Sequence, residues 1–346
     1  MSVHQGRQNF RDPYSGGQFD ITIQNNDNYA ASIIYGDRLT VEIPGTTYSQ
    51  WPTVRGITYQ DAMGDKGVNM ATITCQDNLG SVGRALAQNL VLTQTTPGLQ
   101  LAQFPASVNL VQFAVAPWSS NGSSIAAATT YTGSYLNYLN LLTTTERGCL
   151  TTYQQYIYFA SRTSQSLTTA FDFGPTSTAN RITYQSFNRL AANSLFVNTF
   201  TVSATGIADQ TAVNTTSSTA YGAALDSSQT VDATAAQALS NASWMANTFS
   251  DPASLRYVVQ FLDLPQTDAT TNNAMVALQD ARPFNLTYKN PGGADVTVAV
   301  KPEGYEISAT PESSIITAYL SPLTYYQQFI LNSSTYGILN TSRLGW

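Results

Sequence analysis

The chain has 346 residues with 15 basic and 21 acidic side chains, a net charge of −6, and only 10% of its residues are charged, against roughly 25% in an average globular domain. Its hydrophobic fraction of 42%, with 20 Tyr and 14 Phe, is ample for a packed core, so the low charge does not signal disorder. One His and two Cys exclude an HExxH helix, a histidine metal cluster and a Ser-His-Asp triad. Cys75 and Cys149 lie in apolar or Thr-rich runs and read as buried free thiols. An acidic chain without a Lys/Arg cluster is not built to grip nucleic acid. The N-terminus lacks a basic region followed by an apolar one, and no apolar run reaches about 18 residues, so the expectation is a soluble product without a cleaved export signal or membrane insertion.

In chain order, the first residues, with His4, read as a Gly-, Gln- and Asn-rich leader. Residues 18–75 read as strands: Phe19, Ile21 and Ile23 alternate, Arg38–Ile43 alternates again, and Thr53–Tyr59 and Val68–Cys75 follow between Gly, Asn, Asp or Pro turns. Short strands at this spacing predict a small barrel or sandwich. Asp77 or Asn78 then caps a predicted helix carrying Leu79, Val82, Leu86, Ala87 and Leu90, which closes the barrel's end. Residues 117–130 form a Ser/Ala/Thr linker. After it, Tyr135, Leu136, Leu139 and Leu142 predict a helix up to Glu146, and Tyr156–Ser161 a strand, giving a small α/β insertion.

A second β-rich unit starts with strands at Arg181–Phe187 and Leu195–Ser203, turns at Gly206 and closes its first block at Thr219–Gly222. A helix opens at Asp232, spaces Ala235, Leu239, Ala242, Ala246 and Phe249 by four, three, four and three, and stops at Asp251-Pro252. Strands resume at Leu255–Leu264, Pro283–Tyr288, Ala294–Val300, Gly304–Ala309 and Ser314–Leu320. The predicted class is mainly β with a few helices, a β-rich α+β chain of two similar halves without a fixed-period repeat.

No chemistry-bearing constellation stands out. Glu303, Glu306 and Glu312 fall within ten residues, but strand alternation makes Glu303 and Glu306 diverge, and a solvated strand end is expected rather than a glycosidase pair. Asp12, Asp20, Asp27 and Asp37 fit no EF-hand spacing, and the six Asn-x-Ser/Thr sequons carry no weight in so Asn- and Thr-rich a chain. No cofactor or metal is expected. The many Tyr and Trp residues suit either a sugar-stacking platform or large subunit contacts.

A succession of segments resembles the baseplate hub, or hub-like minor tail protein, of long-tailed bacteriophages. Phe19–Asn26 (FDITIQNN) with Tyr35–Val41 resembles the family's strand, Asn turn and G-x-x-V-x-V opening. Arg55-Gly56-Ile57 is similar to its return strand, and Ala71–Leu79 (ATITCQDNL) to its strand ending before a closing helix. Leu139–Leu150 and Tyr156–Arg162 resemble the middle segment, with Glu146 and Arg162 at its charged positions. Asn198–Val202, Ser217–Gly222, Asp232–Pro252 and Gly304–Leu320 follow in the family's order, and Tyr336–Trp346 resembles the G-x-L-x-x-x-R-L-G-W/F ending. Tyr153–Tyr156 departs from the family in lacking a turn glycine, and Pro44–Pro52 lengthens the first hairpin.

The resemblance implies two tail-tube-like β-barrel domains, each flanked by a helix: residues 1–114 and 181–322 (with helix 232–250), separated by an α/β insertion at 115–180 and followed by a packing segment at 323–346. Three copies would supply six barrels and adapt a six-fold tail tube to a three-fold tip. The implied role is a structural, non-enzymatic virion protein, made in the host bacterial cytoplasm. Its implied partners are a distal tail protein ring, a tape measure protein and tail fibre or tip proteins, with genomic DNA passing through the lumen without sequence-specific binding. A neutral or acidic lumen would let DNA slide. The alternative is a distal-tail ring protein or a host-binding adhesin recognising surface glycans. Trp346, with Leu344 and Arg343, is expected either to anchor on a neighbouring subunit or to cap its own barrel; Glu146 and Arg162 are expected to pair within the insertion for packing, as an exposed pair of little energetic weight.

Overall fold

The computed structural model describes residues 1–42, 49–60, 68–104, 112–113, 122, 124–154, 156–162, 168–176, 181–191, 195–252, 255–263, 274–275, 277–290, 292–310 and 313–326. Among them the chain is mostly strand, as its alternating pattern predicts, and an 11-stranded sheet dominates. Gln18–Gln24 pairs antiparallel with Met70–Gln76, which pairs in turn with Thr53–Gln60. Register sets Phe19 opposite Cys75 and Cys75 opposite Val54, and all three are buried. A one-residue slip would expose the whole row. On the far side Leu255–Asp263 lies between Ser186–Ala191 and Ser314–Pro322.

The two groups of strands meet on Asp295–Ala309. Its first half forms a hairpin with Phe284–Lys289, its second half pairs with Ser2–Gly6, and Ser314–Pro322 takes the opposite edge. The N-terminal pentapeptide is therefore not a leader but an inner strand, held between Gln18–Gln24 and Asp295–Ala309. Apart from Val3, buried between Phe19 and Ile307, its residues carry no large apolar side chain, yet the neighbours on both sides satisfy the backbone, which is why composition alone misread them. Strand pairing among the described residues leaves ends at Thr53–Gln60, Arg181–Thr183 and Ser186–Ala191 that no ladder joins, so no closed barrel is seen among them and the two expected barrels do not appear there as such.

Three further expectations change. The helix capped by Asp77 spans only Asn78–Arg84; Ala85 turns extended, and Leu86–Leu92 is a strand paired with Thr129–Ser134. Two glycines in seven residues make a weak helix, and LAQNLVL gains a cross-strand partner instead. Part of the expected linker is thus the strand Thr129–Ser134. Thr215–Tyr221, expected only as a block end, is a short helix capped by Asn214. The later helix spans Ala235–Thr248 with Thr234 as cap, whereas Asp232 is fully buried before it. The Tyr135–Glu146 helix stands as expected. In the following hairpin Gln154, at φ 51°, supplies the left-handed turn without a glycine.

Among the described residues, burial divides into three clusters. One fills the large sheet, around Phe19, Phe261 and Phe284. A second lies under the Tyr135–Glu146 helix and the Cys149–Tyr153 and Tyr156–Ala160 strands. The third sits between the Ala235–Thr248 helix and a three-stranded sheet ordered Ile207–Val213, Thr199–Ala204, Leu225–Thr230, and includes Phe10, Phe249 and Tyr325. Cys75 and Cys149 are buried and free.

Candidate functional site

The three clusters meet at a buried ionic knot. Directly after the first strand, Arg7 donates from Nε to Glu303 Oε2 at 2.8 Å, and Tyr326 donates its hydroxyl to Glu303 Oε1. Arg7 stacks over Phe10 and Tyr14, 4.8 and 4.5 Å from the ring centroids. Lys301 reaches Cys149 Sγ at 3.6 Å and lies 4.4 Å from the Tyr326 ring centroid. Arg7, Glu303, Lys301, Tyr14 and Tyr326 are all buried.

Glu303 is inside because of a bulge. The ladder with Ser314–Pro322 pairs Pro302 with Leu320 and then Gly304 with Tyr319, leaving Glu303 as the extra residue. Glu306, beyond the bulge, points the other way, to His4 Nδ1 at 3.0 Å and the Tyr319 hydroxyl at 2.8 Å. The divergence expected from alternation is present, but the solvated end expected for Glu303 is not. Backbones close up at this point: Gly6 faces Gly304 across the ladder with φ +83°, and a Cβ on Gly6 would come within 2.6 Å of the Gly304 Cα.

Burial opposes charge on Arg7, but Glu303 together with Tyr14 and Tyr326 outweighs it and holds the guanidinium above its ordinary range. Burial lowers Lys301 and raises the Tyr14 and Tyr326 hydroxyls. An adjoining arm runs from Tyr305 through Gln5, whose Nε2 donates to Thr152 Oγ1 at 2.9 Å, to Asp77. Asp77 Oδ1 accepts from the Gly80 and Gly17 amides at 2.9 and 2.8 Å, fastening the N-terminal segment to the helix it caps. Burial pushes this carboxyl up to about 6 despite those donors.

A second polar knot joins the insertion to the three-stranded sheet. Here Glu146 and Arg162 do come together, Oε1 to Nε at 3.7 Å, but Glu146 is fully buried, so the pair is not the exposed one expected. Glu146 Oε2 also accepts from the Ser124 amide at 2.9 Å. Nearby, Asp232 accepts from Thr230 Oγ1 at 2.7 Å and from Asn241 Nδ2 at 2.9 Å. Burial raises the Asp232 carboxyl and lowers Arg162. Arg343, Leu344 and Trp346 lie outside the described residues.

Between the two knots opens a cleft of about 340 Å³, walled by the Tyr135–Glu146 helix, the Asn9–Tyr14 turn and the Leu225–Thr230 strand. Arg7, Arg11 and Arg147 line it. Sequence reasoning missed Arg7, Glu303 and Lys301; the signal was a Pro-Glu-Gly interruption inside an otherwise alternating strand, the pattern of a bulge. Among the described residues no three His, Cys, Asp or Glu side chains gather to hold a metal ion. No described helix is long and apolar enough to cross a membrane. What the knots do is tie separate cores into one.

No protein-family model matches the sequence, and no curated protein matches it. Solved structures do. A tail protein from Neisseria meningitidis MC58 superposes with a TM-score of 0.63 at 9% identity, covering 94% of this chain and 92% of that one. A 43 kDa tail protein of prophage MuSo2 from Shewanella oneidensis gives 0.61 at 13% identity, covering 93% and 92%. A component of the E. coli type VI secretion system, described as structurally similar to the T4 bacteriophage tail proteins gp27 and gp5, gives 0.54 at 9% identity, covering 93% and 72%. Over nearly its whole length, this chain has the fold of these tail proteins.

Proposed function

We propose that this chain is a structural component of a bacteriophage tail, a trimeric baseplate or tail-tip hub. The supporting observation is a fold shared from end to end with two proteins named as tail proteins, at coverage above nine-tenths of both partners. In this reading residues 1–114 and 181–322 act as two tube-like modules, bridged by the Ser2–Gly6 strand, with 115–180 as an insertion and 323–346 as a packing segment. Three chains then present six modules to a six-fold tube and three equivalent surfaces to a tip. The partners are a distal tail ring above, tip or fibre proteins below, and a tape measure protein within, with DNA leaving through the lumen. The chain acts in the virion and without enzymatic activity. A sheet tied to neighbouring cores by buried ion pairs suits a part that must hold its shape under load.

The test is the symmetry and position of the chain in intact particles, read by electron cryomicroscopy. Three copies around the axis at the tail end are expected. Six copies in a ring above the tip would replace the hub by the distal ring, and a peripheral position with glycan binding by the isolated chain would replace it by an adhesin.

A further inference from the structure

The cleft between the two knots holds a cation without an ion pair among the described residues. Arg7 is paired with Glu303, and Arg11 with Asp226. Arg147 differs from both. It is 8% exposed, its Nε has no hydrogen-bond partner, and its guanidinium lies 5.0 Å from the Trp244 ring centroid without an ion pair among the described residues. A buried charge is retained when something pairs with it. With one face against Trp244, the guanidinium keeps its planar edge for two oxygens of one carboxylate. The backbone commits to this placement: Arg147 ends the Tyr135–Glu146 helix in the left-handed conformation, φ 53°, where glycine is the usual residue.

A second observation concerns the opposite wall. The Leu225–Thr230 strand pairs with Thr199–Ala204 along one edge and with no other strand among the described residues, and Asp226, Ser227, Ser228 and Thr230 line the cleft. An unpaired strand edge presents backbone donors and acceptors to an extended chain. A volume of about 340 Å³ takes a few side chains and not a duplex or a folded domain. Asp226, already held by Arg11, disfavours a second acid at its own end, so a single carboxylate near Arg147 fits best.

We propose that this cleft binds an extended acidic segment of a neighbouring polypeptide, its Asp or Glu carboxylate pairing with Arg147 while its backbone lies along the Leu225–Thr230 strand. The inference does not require the hub reading, because the cleft is complete within one chain.

Titration calorimetry of the full chain with the synthetic peptide Thr-Val-Glu-Val-Thr and its Gln counterpart tests it. The Glu peptide is expected to bind at least tenfold more tightly, with slowed amide exchange over residues 225–230. Arg147→Gln should erase the difference between peptides. Thr144→Trp, at an exposed helix position lining the cleft, should block both, and it carries the test if Arg147→Gln fails to fold by circular dichroism. Equal binding of the two peptides, no binding of the Glu peptide at millimolar concentration, or unaltered binding to Thr144→Trp would overturn the proposal. So would displacement by inorganic phosphate at equal concentration, which marks a small-anion site instead.

Discussion

The two buried knots solve the same problem by different means. At Arg7–Glu303 a short ion pair of 2.8 Å is walled by aromatic rings and completed by one phenol. At Glu146–Arg162 the charges stand 3.7 Å apart, and the neighbouring Asp232 is held chiefly by neutral donors from Thr230 and Asn241. The first concentrates its energy in one contact that spans the chain from residue 7 to residue 303. The second spreads it over several local hydrogen bonds. Concentration makes a junction specific and brittle; dispersal makes it tolerant.

That contrast can be broken by mutation. Glu303→Ala leaves the Arg7 charge buried without its partner and should cost about 3–5 kcal/mol in urea unfolding; the double change Arg7→Met with Glu303→Leu should recover most of that loss, because it removes the charge as well as the pair. A smaller effect tracks pH through the adjoining arm. Asp77 titrates at about 6 in the folded chain, above its unfolded value near 3.9, so the folded state favours the acid form. Its contribution is full below the unfolded value and is lost as pH rises to about 6. Relative to Asp77→Asn, wild-type stability should therefore fall by roughly 2 kcal/mol between pH 4 and 7 and stay level above that. A flat difference would remove Asp77 as a titrating group. The smallest change is expected in the second knot, where Asn241→Ala should cost about 1–3 kcal/mol. A loss as large as that of Glu303→Ala would show the two junctions to be equally brittle.

The sequence carried the regular parts well. Phe19–Ile23, Thr53–Tyr59, the Tyr135–Glu146 helix and the strands after Leu255 were legible because each has a strong period bounded by turn residues. Ser2–Gly6 was not, since Val3 alone carries its apolar contact, between Phe19 and Ile307, and one residue makes no alternation. Leu86–Leu92 misled because its leucines also fit a helical spacing, and only the partner at Thr129–Ser134 decides the matter. The junction residues were the least visible. Glu303 is the extra residue in the ladder, and alternation, which rightly separates it from Glu306, does not announce that it is buried. Glu146 and Arg162 were found as a pair, but their surroundings, the Ser124 amide on Glu146 and Asp232 near Arg162, come from distant parts of the chain that no local pattern announces.

The inner position of the first strand also governs how the molecule is made. Ser2 pairs with Ser308 and Gly6 with Gly304, so this ladder can form only after residues 304–308 have joined the chain. Closing so long a loop is entropically slow, and until it closes, Ser2–Gly6, paired on its other side with Gln18–Gln24, presents a bare edge to any other strand in reach. Prematurely terminated copies should for that reason be sticky intermediates rather than smaller working parts.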